Sequence, residues 1–497
     1  MRIKALTLIA FLTAAPLSVY SQESAANQTE NEPPLLSELL RDNPQTSIFY
    51  SALESTGLAD TLSKYLDPTY PGDYDISYKG RIILYTSSSS EQRVYPQKRV
   101  FKFTMFVVPD SILKADHNIN SLAELKAYAQ SKYPQGAALP DNDRESSLNQ
   151  FLSYHILPVG LGWDQLNISA PDYIKNRSYL DELDVEDFYE TLLPHSIMRI
   201  STPYKQPSYA NAQDITEQEK YGIFINRKGT LKNPESLIAG TQINRVAESD
   251  PSSLNGTYYY ISEPLVYNEA TRNALDVRMR VMARTISPDF INCDPQSIIK
   301  TSSFLLYFAP GYTTNIRNMT GLSPTSSFFI GYKYPYYNEY YGDRIFLEKN
   351  YDIIIKLPPV PKSGLYEVRV NGYFTNYSYE DEGKGHVLFF TGSDPDRLSP
   401  CGSPRKLGVN VNDISDDNQV LRKNGYMKMA DSYFKSVVQN NRLFRMIVNE
   451  QYMDCNEDHY LRIRQMDADA FISYPLNYIE IVPFSVYSGE NGPEDSH

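Results

Sequence analysis

Apolar residues along this chain follow two periods. In the first half helical spacing is prominent; after about residue 275 the chain changes to short, aromatic-rich runs that read as strands with turns between them. In PQTSIFYSALESTGLADTL (44–62), Ile48, Phe49, Ala52 and Leu53 share one helical face, and Gly57 sits where a helix stops. Ser121 and Glu124 in SLAEL make a capping box, which marks a helix start. KRVFKFTMFVVPD (98–110) alternates into a strand that breaks at Pro109. Residues 146–157 predict a short helix with an inward stripe of Leu148, Phe151, Leu152, His155 and Ile156, ended by Pro158 and Gly160. SYLDELDVEDFYETLLPHS (178–196) reads as an acidic helix, and PYKQPSYANAQD (203–214) as a loop.

The second half reads as strands. YDIIIKLPPVPKSGLYEVRVNGYF (351–374) gives two, Ile353–Leu357 and Tyr366–Val370, around a Pro/Gly connection. HVLFFT (386–391), RLFRMIV (442–448), HYLRIRQM (459–466) and NYIEIVPFSVY (477–487) follow, interrupted mainly by the helical or loop stretch 421–438. Many short strands spaced by turn residues indicate a mainly-β sandwich or jelly roll.

His155 thus faces a core. A lone histidine on such a face is ordinarily neutral, with a ring nitrogen bonded to backbone or to a buried polar partner. No neighbouring Ser, Cys or Asp motif makes it a nucleophile's base.

The first residues pair a basic head (Arg2, Lys4) with the short apolar run ALTLIAFLTAAPL and the small-residue pattern ending at Ser21. That layout predicts a signal peptide over 1–21, a solvated leader over 22–34 and an exported chain in the periplasm, at the cell surface or secreted. No later run approaches a bilayer span, and no cysteine precedes Cys293 to carry a lipid. Residues 489–497 read as a flexible tail.

With 47 Lys and Arg against 60 Asp and Glu, the net charge of −13 argues against nucleic acid as a partner. Cys293, Cys401 and Cys455 allow one disulfide plus a thiol or three unpaired cysteines; no spacing suggests zinc. The acidic turns at 141–145, 392–397 and 415–418 read as solvated loops, since none follows a calcium-loop pattern. No nucleophile elbow, zinc-protease helix, phosphate loop or dinucleotide fingerprint occurs. No catalytic residue, metal or cofactor is therefore expected. Tyrosine is abundant, at 41 residues. In GYKYPYYNEYYGDR (331–344), Tyr336, Tyr337 and Tyr340 suit a sugar-binding face or a loop packed on its own sandwich.

Three segments resemble the fasciclin (FAS1) family. FKFTMFVVPDSIL (101–113) is similar to its first box through Thr104, Phe106, Pro109 and Asp110. LNQFLSYHILP (148–158) is similar to its Tyr-His segment through Tyr154 and His155. LNGTYYYISEPLV (254–266) is similar to its closing box through Asn255, Gly256, Ile261 and Leu265, with Ser262 where the family usually has an acid. The resemblance covers roughly 35–268, with insertions expected within 159–220. It implies an α+β domain over 35–270, a β-sandwich wedge with packed helices, acting in adhesion. It also implies partner binding around Tyr154 and His155. Asn255-Gly256 is independently a turn signal in which Gly256 takes positive φ, and Thr104 and Asp110 suit closing loops onto backbone. Residues 271–488 resemble galactose-binding-like jelly rolls and the C-terminal half of exported fasciclin-domain proteins of the Bacteroidetes.

The resulting expectation is an exported, non-enzymatic binding protein whose partner is a surface glycan or an extracellular or outer-membrane protein. A glycan-capture subunit or glycan-acting enzyme of a polysaccharide-uptake system, and an envelope scaffold, are the alternatives.

Overall fold

The computed structural model describes residues 33–70, 92–94, 98–166, 187–201, 222–228, 238–246, 253–282, 285–293, 304–308, 311–319, 328–331, 345–347, 350–373, 385–409, 411–428, 443–467, 474–476 and 478–488. The expected signal peptide, most of the leader and the tail lie outside these residues, as do Tyr336, Tyr337 and Tyr340.

The described helices around the first sheet include α1 (Leu36–Asp42), α2 (Ser47–Thr56), α3 (Leu58–Leu62), α4 (Asp110–Asp116), α5 (Leu122–Lys132) and α6 (Ser147–Tyr154). Gly57 ends α2 with φ +74° and its N–H on the Glu54 carbonyl, the left-handed cap that a Cβ would disfavour. At α5 the Glu124 N–H donates to Ser121 Oγ at 3.3 Å, while the Glu124 carboxylate reaches back one residue further, to the Asn120 N–H at 2.5 Å. Helix α6 stops earlier than its apolar stripe suggests. His155 caps it, and Ile156–Leu157 leaves as a strand because Met105 and Thr104 offer it a ladder.

The first sheet has seven strands: β1 (Phe103–Val107), β2 (Ile156–Leu157), β3 (Asp187–Glu190), β4 (Ile197–Ser201), β5 (Ile223–Ile225), β6 (Thr241–Asn244) and β7 (Gly256–Ile261). Their order is β2-β1-β7-β6-β5-β4-β3, and β1 runs parallel to β7 with Phe103 opposite Gly256 and Val107 opposite Tyr260. The acidic helix expected over 178–196 is corrected in its described part. Asp187–Glu190 is an edge strand on β4; Phe188 and Tyr189 are both buried, and Pro194 with His195 at φ +54° turns the chain back too soon for a helix.

Two further sheets hold β8 (Met279–Met282), β9 (Ile316–Asn318), β10 (Asp352–Leu357), β11 (Gly364–Tyr373), β12 (His386–Gly392), β13 (Tyr426–Lys428), β14 (Leu443–Met453), β15 (His459–Gln465) and β16 (Tyr478–Pro483), with the short strands Ser399–Pro400 and Arg405–Lys406 also pairing with β12. One sheet is ordered β13-β14-β11-β16-β8; in the other β9, β10, β15 and β12 are consecutive neighbours. From β10 to β12, and again from β14 to β16, each strand lies in the sheet opposite its predecessor, which makes the pair sandwich-like. The proline-rich link 358–363 carries the chain across, so β10 and β11 do not pair with each other. A further sheet joins Gln92–Val94, Phe304–Phe308, Phe328–Gly331, Ile345–Leu347 and Tyr474–Leu476. The architecture is mixed α+β with several sheets.

The chain divides after Pro33, and Pro34–His497 form one compact unit with a continuous apolar core. Residues before and after 270 are tied by specific bonds: Arg99 donates to the Gly311 and Tyr312 carbonyls (3.1 and 3.0 Å), and Asn292 brackets the Pro158 carbonyl and the Gly160 N–H (3.0 and 3.1 Å). None of Cys293, Cys401 and Cys455 is joined in a disulfide.

Candidate functional site

The three segments singled out in the sequence meet at one place. Parallel pairing sets β1 beside β7, and the turn after α6 pairs with β1 and reaches the segment after β7 through His155. His155 lies in the middle with no exposed surface. Its Nδ1 lies 2.8 Å from the Phe151 carbonyl and its Nε2 lies 3.0 Å from the Leu265 N–H. A carbonyl only accepts and an amide only donates, so the ring is neutral with its hydrogen on Nδ1. Burial drives its pKa down to about 4, against a smaller upward pull from the Phe151 carbonyl. Phe151 and Phe49 enclose the ring at centroid distances of 4.6 and 5.4 Å. The His155 carbonyl in turn accepts from the Phe106 N–H at 2.9 Å. One residue therefore ties α6, β1 and the segment after β7 together.

The other motif residues also hold backbone. Thr104 donates to the Val159 carbonyl (2.7 Å) and accepts from the Leu161 N–H (2.8 Å), closing the loop after β2. Asp110 accepts from the Ile48 N–H at 3.1 Å and from the Ser47 hydroxyl, so a carboxylate sits at the start of α2 where the helix dipole favours it. Pro109 takes the N-cap position of α4, and Phe106 is buried against Tyr259. Asn255 is fully buried and uses both ends of its amide. Its Oδ1 caps α1 through the Leu36 N–H at 2.8 Å, and its Nδ2 donates to the Leu62 and Lys64 carbonyls at 2.7 and 2.8 Å. Gly256 has φ +143°, and a Cβ there would lie 1.9 Å from the Phe103 carbonyl oxygen.

Tyr154, expected beside His155 in partner binding, is equally buried. Its hydroxyl accepts from Asn226 Nδ2 at 2.9 Å and donates to the Ile197 carbonyl at 3.3 Å. Neither side chain presents surface to a partner, because both fill the space between α6 and the sheet. That part of the expectation is corrected: the two residues brace the fold.

A second polar cluster escaped sequence reading. Glu480 on β16 is fully buried and lies opposite Arg280 on β8 and Arg369 on β11, with Arg445 Nη1 at 3.5 Å. Burial alone would raise its pKa, but the fields of Arg280, Arg445, Arg278 and Arg369 hold it well below the usual carboxylate range. Arg369 also bonds Glu367, which Arg422 clamps from the outer side. Glu367 and Arg369 alternate with Val368 and Val370, a pattern that reads as a solvent-facing edge of the strand. A charge network buried beneath the sheet has no local signature.

Among the described residues, no group of three or more His, Cys, Asp or Glu is arranged to hold a metal ion, and no helix is long and apolar enough to cross a membrane. No family model and no curated protein matches the chain. Among solved structures it is similar to the Podospora anserina GH26-CBM35 β-(1,4)-mannanase, at a TM-score of 0.18 and 8% identity, over 42% of this chain and 28% of that one. A likeness of that size bears on neither fold nor activity.

Proposed function

We propose that this chain is an exported, non-catalytic binding protein. A fasciclin-like unit comes first and a galactose-binding-like β-sandwich second, and the partner is a surface glycan or another surface protein. One observation carries the reading: both ring nitrogens of His155 are committed to backbone where the three fasciclin-like segments meet. An imidazole held neutral by those two bonds, with a pKa near 4, is a brace and not an acid–base group poised near neutrality. The parallel β1–β7 pairing, Asn255 at the start of α1 and Asp110 at the start of α2 support the same reading. They show motif residues spent on joining elements.

The test uses the full chain without residues 1–21. A glycan array and a pull-down from envelope extract are run beside an assay for released reducing sugar. Binding without release agrees with the reading. Sustained release of reducing ends by purified protein overturns it.

A further inference from the structure

We propose that the outer face of the β9-β10-β15-β12 sheet is the ligand-binding face, and that its occupant is a neutral glycan. This rests on the binding reading above and names its surface. Burial alternates along β15 and β12: Leu461 and Ile463 of β15, and Val387 and Phe389 of β12, point into the core, while Tyr460, Arg462, Leu388 and Phe390 are half-buried on the other side; on β10, Ile354, opposite Arg462, is buried on that same side. That outer side combines rings with rigidly held polar groups. Arg462 is gripped by Asp352 through two bonds of 2.7 Å, and its guanidinium stacks 5.0 Å from the centre of the Phe390 ring, its direct cross-strand neighbour. Tyr460 sits one row along, facing Gly392, roughly 8 Å from Phe390 by strand geometry. That is the span of one to two pyranose rings.

Charge decides the class of ligand. Arg317 pairs with Asp396 at 2.7 Å, Arg462 and Arg464 share Asp352, and Lys356 lies 3.1 Å from both Glu190 and Asp458. Four cations therefore meet four carboxylates on and around this face, and its field is close to neutral. An anionic ligand would have to break these pairs. A neutral polyol can accept from the guanidinium edges, donate to the carboxylates and lay its C–H face on the rings without disturbing them.

The test titrates the chain without residues 1–21 with soluble neutral β-glucan, galactomannan and arabinogalactan, and with polygalacturonate as the anionic comparison. At least one neutral polymer should bind, with an affinity that changes less than about twofold between low and physiological salt. Phe390→Ala and Tyr460→Ala should each weaken it on the order of tenfold, a loss of ring stacking. Tyr452→Ala, on an exposed tyrosine of the other sheet, should leave it unchanged. Circular dichroism of each variant separates lost binding from lost folding; should either alanine variant unfold, Phe390→Leu and Tyr460→Leu take its place. A bound neutral glycan indifferent to both ring variants overturns this face while leaving the binding reading intact. Preference for polygalacturonate, or binding to none of the polymers, overturns the occupant. Release of reducing ends would overturn the binding reading itself.

Discussion

Replacing His155 by alanine removes two supports at once. The Leu265 N–H loses its acceptor in a fully buried place, which costs about 1–3 kcal/mol. The missing ring leaves a cavity between Phe49 and Phe151, worth about another 2–3 kcal/mol for a large-to-small change. The expected loss is about 4 kcal/mol, a large fraction of the stability of an ordinary domain. His155→Leu refills most of the volume but leaves the N–H unpaired, so it should recover roughly half of that loss. Urea titration reads both. Trp163 is the single tryptophan and its ring lies 5.7 Å from that of Tyr259, so its fluorescence reports the first sheet, while far-ultraviolet circular dichroism reports the whole chain. The midpoint should fall with an unchanged slope. An alanine variant within about 0.5 kcal/mol of the parent would refute the argument, because a surface substitution behaves that way and a brace does not.

Stability should also fall with acid through the same ring. The unfolded chain takes up a proton at His155 near pH 6.5, which the folded state refuses until about pH 4. The unfolded state thus binds more protons across that window, and about 3 kcal/mol should be lost as pH falls through it; His155→Leu should flatten that slope in urea titrations. Glu480→Gln leaves Arg280, Arg369 and Arg445 facing a neutral amide in a buried site, so it should cost about 3–5 kcal/mol by thermal or urea unfolding. Because the Glu480 pKa is depressed, its contribution is complete above the unfolded value near 4.3 and is lost as pH falls below it, so the variant should lose less than the parent in strong acid. Gly256→Ala drives a Cβ into the Phe103 carbonyl and should cost about 4 kcal/mol or more, seen as a collapse in the melting temperature or in folded yield.

Local chemistry was legible in the sequence, and long-range pairing was not. Gly57, Ser121 with Glu124, and Asn255-Gly256 announce their turns and caps because glycine φ and short polar side chains act within a few residues. The inward position of His155 followed from helical spacing alone, and its bond to Leu265, 110 residues away, did not. The strands of the second half were visible as alternation. Their assignment to alternating sheets depends on the direction taken by the 358–363 link, which no periodicity encodes. The Glu480 network was hidden for a different reason. Burying paired charges contradicts the rule that polar positions face water, and only the partners on β8, β11 and β14 make the burial tolerable. In the described part of the acidic stretch 178–196, Phe188, Tyr189 and the Pro194 turn outweigh the helix-forming acids and give a strand.

The central claim is that one neutral imidazole joins the three segments. Long-range proton–nitrogen correlation on histidine-labelled protein tests it directly, with the His155 signals identified by their loss in His155→Leu. At about pH 5.5, well below the ordinary histidine midpoint, the account predicts a neutral ring carrying its proton on Nδ1. An imidazolium at that pH, or a ring protonated on Nε2, would contradict it.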